Sequence, residues 1–244
     1  YMWAEQTGGS GGIGDAAGND LRIFGLTSIT PGLWKTDAAT TDWATGTNWD
    51  DGNVPTAVTN VVIPVGASNY PTISAAANCN DLTIKSDATG DASLIGQGNL
   101  TIAGTVTIER YVSGYASGEP GWHFLSSPVQ NLSIASSDFV PGSGVDDFYQ
   151  WDEVSNTWLN YYDSGVDPTF DEGKGYLIAY SEDETKVFTG VFNTATETES
   201  LSYTENGEAY GDGWNLLGNP YPSAIDWDLL GKSGSIFGSV YTIK

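Results

Sequence analysis

Residues 82–108 read LTIKSDATGDASLIGQGNLTIAGTVTI. Four short apolar units recur in this stretch, Leu82-Thr83-Ile84, Leu94-Ile95, Leu100-Thr101-Ile102 and Val106-Thr107-Ile108, beginning at steps of twelve, six and six residues. Side chains alternate across a strand, so each three-residue unit turns two apolar groups to one face and a threonine to the other. Gly, Asn, Asp and Ser between the units end each strand early. Spacing of this kind suits stacked solenoid coils or a tight β meander. So few rungs cannot bury their apolar face alone, and the region is expected to pack on a neighbour.

The same texture extends both ways along the chain. Helical periodicity is scarce, and short runs rich in Val, Ile, Thr, Tyr and Trp recur between turn residues. The reading is an all-β chain. A short solenoid-like or meander β region spans 33–112, and a β-sandwich-like, aromatic-rich region spans 113–244. Residues 1–32 end a preceding β region, with strands near 1–6 and 21–26 around the loop GGSGGIGDAAGND at 8–20. Further strands are expected at 148–152, 157–162, 175–180, 186–189 and 200–203. One short helix is expected at 223–230, SAIDWDLL, with Ser223 as N-cap and Asp226 three residues on. An internal echo, G-W-x-x-L-x-x-P, occurs at Gly121 to Pro128 and returns ninety-two residues later at Gly213 to Pro220. Its tryptophans, Trp122 and Trp214, are expected in core strands that each proline ends, because proline lacks a ladder N–H.

Of the 244 residues 31 are acidic and 8 basic, a formal charge of −23, yet only 16% are charged at all. Soluble domains carry about 25% charged residues, so the imbalance arises from missing bases. Affinity for phosphate backbones and anionic lipid is built on clustered Lys and Arg, which excludes nucleic acid as a partner. No apolar run approaches the length of a membrane span, so direct membrane insertion is not expected. One histidine, His123, and one cysteine, Cys79, cannot form a multi-His site, a Cys-based zinc site or an internal disulfide. The chain starts at Tyr1 with no basic segment before an apolar stretch, as a chain does whose leader was removed or that is an internal piece.

No motif offers catalytic residues. The G-x-G-x-x-G and G-x-S-x-G matches at 8–14 lie in a turn-rich loop, without the helix either chemistry needs. His123 beside Ser126 or Ser127 could act as a base, but Asn215 occupies its place in the echo, which suits a structural role better. Cys79 reads as a buried thiol, since almost no positive charge is at hand to favour the thiolate. Acidic clusters, above all Asp163, Asp167 and Asp171, could offer oxygen ligands to calcium, the one cofactor the chain suggests. The bland reading, solvated loops in an acidic chain, competes with it. The stretch YQWDEVSNTWLNYY at 149–162 reads as a hairpin, and Trp151, Trp158, Tyr161 and Tyr162 form a candidate sugar platform, because aromatic faces stack on sugar rings. Whether those rings face core or solvent decides that reading.

Several motifs carry a family resemblance. Asp42-Trp43, Asn48-Trp49, Gly52-Asn53-Val54-Pro55, Asn60-Val61-Val62-Ile63-Pro64 and Asn78-Cys79-Asn80-Asp81-Leu82-Thr83-Ile84 resemble a β-rich module of large secreted or cell-surface proteins of the Bacteroidetes type. The segment that commonly follows that module is matched by Trp122 to Pro128, Gly173-Lys174-Gly175-Tyr176-Leu177-Ile178, Phe188-Thr189-Gly190 and Gly213 to Pro222. The resemblance covers about 34–244. It implies an extracellular or cell-surface location, export by the type IX route, and no transferable catalytic residue. The sorting domain that usually ends such proteins is not seen, and the sequence stops at Lys244 as if within a strand, as a fragment would. The expected function is a non-catalytic structural or adhesive module of a larger exported protein, in contact with neighbouring domains or copies of itself. A carbohydrate-binding module for an extracellular glycan is the alternative, and a polysaccharide-degrading β-solenoid enzyme with paired carboxylates a third.

Overall fold

A computed structural model of the chain describes residues 28–117, 121–142, 144–163, 165–207 and 212–232. The strands expected near 1–6 and 21–26, and the loop at 8–20, lie outside them. The protein is all-β, its helical content limited to single 3-10 turns among the described residues.

The first half carries β1 (Val61–Ile63), β2 (Ala77–Cys79), β3 (Leu82–Ile84), the small hairpin β4 (Ser86–Asp87) and β5 (Gly90–Asp91), β6 (Leu100–Ile102) and β7 (Val106–Val112). Of the two arrangements the spacing allowed, the pairing is that of solenoid coils. β1, β3 and β7 stack in parallel on one side, β2 and β6 in parallel on a second, and Asp42, Thr72 and Ile95 bridge in parallel on a third. The six-residue steps from Leu94 to Leu100 to Val106 are successive sides of one coil. The twelve-residue step from Leu82 to Leu94 contains the β4–β5 hairpin, an insertion at a corner. Leu94-Ile95 forms no strand; Leu94 is buried, while exposed Ile95 makes only the bridge to Thr72.

Leu82, Ile84, Val106 and Ile108 point inward, as the alternation requires. Registers align Ile63, Ile84, Ile108 and Phe188 in one row across the sheet. Antiparallel segments close both ends of that sheet. At the start, residues 48–50 pair with 33–35 through Lys35 N–H to the Asn48 carbonyl and Asp50 N–H to the Leu33 carbonyl, each 2.9 Å. Trp34 and Trp43 meet Trp49 edge to face there, at 5.0 and 4.8 Å between ring centres, all three buried. At the far end, β12 (Glu184–Gly190) lies antiparallel along β7.

The second half builds a four-stranded antiparallel sheet from β8 (Trp122–Leu125), β9 (Asp147–Asp152), β10 (Thr157–Asn160) and β11 (Tyr176–Ala179), in the order β10-β9-β11-β8. Its inner face carries Phe148, Tyr176 and Ile178. Phe148 and Tyr176 meet Phe170, which also touches Phe139 and Phe188, with ring centres 4.9 to 5.7 Å from Phe170. Phe188 therefore ends the solenoid row and enters the aromatic cluster, which makes one continuous core.

Three expectations are corrected here. Residues 200–203 form no strand. The helix at 223–230 shrinks to a 3-10 turn, Trp227–Leu229, capped by Asp226, whose side chain accepts from Asp228 N–H at 2.9 Å; Ser223 is not the cap. Trp122 and Trp214 are not core residues, being 48% and 58% exposed.

The echo is real in the backbone nonetheless. Gly121 and Gly213 both adopt left-handed conformations, φ +69° and +72°, and a Cβ on either would strike a tyrosine, Tyr115 or Tyr203. His123 sits 3.1 Å from Ser113 Oγ, while Asn215 donates to the Ser202 carbonyl at 2.9 Å, so each copy ties its third position to a preceding serine. Buried Asn193 joins the two endings, donating from Nδ2 to the Pro220 carbonyl at 3.0 Å and the Ser127 carbonyl at 3.3 Å. Trp122 is exposed because it lies on the outer face of an edge strand, β8, whereas Trp214 lies in no strand at all.

Candidate functional site

The β9–β10 hairpin places Trp151 opposite Trp158, and their rings meet at 5.2 Å. Alternation puts both on the outer face of the sheet, since Phe148 and Gln150 of β9 are buried on the inner one. Cross-strand registers carry the same face to β8: Tyr149 pairs with Leu177, and Leu177 with Phe124. Trp122, Phe124, Tyr149, Trp151 and Trp158 consequently form one aromatic strip on the outside of the sheet. Ring centres lie 6.0 Å apart for Trp122 and Tyr149, and 6.4 Å for both Phe124 and Tyr149 with Trp158. Phe124 and Trp158 remain 36% and 40% exposed. Neighbouring rings are inclined by 45° to 77°, so the strip is an interlocked apolar surface and not a row of coplanar plates.

Two of the four residues assigned to a sugar platform thus share a face with three that sequence reasoning missed. Tyr161 leaves the strip: it follows β10 in a 3-10 turn and packs against Phe148 of the core at 6.2 Å. Tyr162 is exposed but turns away, its hydroxyl donating to the Pro141 carbonyl at 2.6 Å. The alternation W-H-F-L at 122–125 was the signal that could have found Trp122 and Phe124, because His123 and Leu125 occupy the other parity.

Beside Trp151 the hairpin borders a cleft of about 410 Å³, walled by Gln150, Leu159, Asp167, Lys174, Glu199 and residues 215–217 among others. Trp151 Nε1 donates to the Trp214 carbonyl at 2.6 Å and so anchors that wall. Glu153, in the hairpin turn, is 5% exposed and collects Thr204 N–H at 2.5 Å, Thr204 Oγ1 at 3.0 Å and Gly213 N–H at 3.1 Å. A hydrogen bond from the Ser202 side chain, with these others, holds its carboxyl below the usual range despite burial. Burial pushes Glu199 the other way, upward.

Asp163, Asp167 and Asp171 do not gather into one group; no cluster of three or more metal-ligating side chains exists among the described residues. Asp167 and Asp171 instead hold Lys174, at 3.5 Å and in closer contact respectively, and Asp167 also accepts from Gln150 Nε2 at 2.6 Å. Every described cation is engaged in this way. Lys85 pairs with Glu109 at 2.5 Å, Arg110 with Asp91 and Lys186 with Glu184, while Lys35 and Lys232 donate to carbonyls. Cys79 is buried at the end of β2, and burial pushes its thiol up to about 12. His123 faces Ser113, not Ser126 or Ser127. No helix among the described residues is long and apolar enough to cross a membrane.

Residues 89–242 match the family described as "Domain of unknown function (DUF8693)". No curated protein and no solved structure matches the chain.

Proposed function

The chain belongs to the DUF8693 family, a domain of unknown function, and we propose that it is a non-catalytic contact module of a larger exported protein. The observation that carries this reading is the aromatic strip on the outer face of the second sheet. Trp122, Phe124 and Trp158 keep a third to a half of their surface in water, at a cost of about 25 cal/mol for each Å² of apolar area left uncovered. Contiguous exposed aromatic patches mark interaction surfaces, and Trp and Tyr dominate the energy of such contacts. The inclined rings suit an irregular protein surface better than the flat face of a polysaccharide. A charge of −23 opposes self-association, so the fitting partner is a neighbouring domain with a neutral or basic surface. The resemblance to β-rich modules of secreted proteins of the Bacteroidetes type, and the Thr- and Asn-rich coils, support a place outside the cell.

Hydroxyl-radical footprinting of the isolated chain and of the full-length parent tests this. Trp122, Phe124 and Trp158 are expected to be labelled in the isolated chain and several-fold protected in the parent. Equal labelling in both would overturn the reading, and protection of the isolated chain that grows with its own concentration would replace the neighbouring domain by a second copy.

A further inference from the structure

The cleft beside Trp151 is a second feature, independent of the strip's partner. We propose that it binds a neutral saccharide. Its volume, about 410 Å³, falls within the ~300–1,000 Å³ of small-molecule sites. One part of the wall is apolar, from Trp151, Leu216 and Leu217; another is polar, from Asp167, Lys174 and Glu199. A pyranose ring has the same two characters, with C–H groups on its faces and hydroxyls around its edge. Hydroxyls can donate to carboxylates and accept from an ammonium, and this wall offers both.

The charges select against other ligands. Asp167 and Glu199 repel an anion such as a uronate or a phosphate ester. Lys174, already committed to Asp171 and Asp167, opposes a cation and has little charge to spare for an anion. Glu199 is the group left open. It lies over Gly173, where an added Cβ would come within 2.8 Å of its Cγ, and it makes no hydrogen bond or ion pair among the described residues. Partial burial raises its pKa, opposed by the nearby charge of Lys174, and its oxygens stay open to a ligand hydroxyl. The neighbouring Glu153 and Asn215 are consumed in holding the wall together and are positioning residues.

The test is titration of the 244-residue chain with cellotetraose, xylotetraose, laminaritetraose and mannotetraose, read by calorimetry and tryptophan fluorescence. Saturable binding of at least one is expected, weakened at least tenfold by Glu199→Ala and unchanged by Val58→Ala, an exposed residue outside both the cleft and the strip. Glu199→Gln, which keeps the shape, is the second variant should the alanine form fail to fold, and is expected to weaken binding several-fold. Silence toward all four probes, or binding that survives both Glu199 variants, overturns the proposal. Neither result touches the contact-face reading, which the footprint alone decides.

Discussion

Glu153 shows how much a single side chain can organise. It is an acid in a hairpin turn, a position where sequence offers only a solvated carboxylate, yet the 204 and 213 backbone segments both donate to it. The Ser202 side-chain hydrogen bond, with those backbone bonds, holds its folded pKa below the unfolded value of about 4.3. A depressed carboxyl contributes stability above its unfolded pKa and loses that contribution as pH falls through the folded value. Glu153→Gln is therefore expected to melt below the native chain at pH 7, with the gap closing as pH drops under about 4. Differential scanning calorimetry from pH 7 to pH 3 checks this, and a constant gap would show that the carboxylate charge is not what holds the wall. Cys79 is the opposite case: its burial was legible from its place beside a core triplet, whereas the Ser113 partner of His123 was not.

Among the strands, the decisive element is β12. It adds to the solenoid sheet along seven paired positions, from Glu184 with Val112 to Gly190 with Val106, and delivers Phe188 to the aromatic cluster. Phe188→Ala is expected to cost about 3–5 kcal/mol, because it opens a cavity where the two halves of the core meet. Urea denaturation should show the loss as one cooperative transition. Two separated transitions, or a loss under 1 kcal/mol, would mean that the halves are stabilised separately. The apolar triplets and their six-residue steps already imply coils or a meander here. That β7 would take an antiparallel partner from residues 184–190 was not legible, since nothing in a run such as ETKVFTG names a strand that starts 78 residues earlier. Gly121 and Gly213 fall between these cases. Their recurrence was visible, but the shared left-handed turn under a tyrosine, which leaves Trp122 and Trp214 in water, was not.

Across the chain as a unit, the charge of −23 is a destabilising field as well as a solubilising one. The few cations within the described residues are already paired or bonded, so the remaining carboxylates repel one another without local relief. Added salt screens that repulsion, with a Debye length of about 30 Å at 0.01 M falling to about 10 Å at 0.1 M. The melting temperature is expected to rise between 10 and 150 mM sodium chloride, and a fall would show that the ion pairs of Lys85, Arg110 and Lys174 outweigh the repulsion. Antiparallel closure at both ends of the solenoid sheet adds a second global property. Residues 48–50 and β12 cover both edges of the parallel β1-β3-β7 side, where further coils would stack.

All-β character, the coil-like period and the pairing of Trp151 with Trp158 follow from residue order. Each rests on local alternation, composition or hairpin geometry, which operate within a few residues. The face of the sheet that meets water, the gathering of Trp122, Phe124 and Tyr149 beside the hairpin, and the meeting of Asp167, Lys174 and Glu199 around one cleft were settled by tertiary structure alone. Those side chains come from segments up to thirty-six residues apart, and a strand's period of two is silent about which parity the rest of the chain will cover.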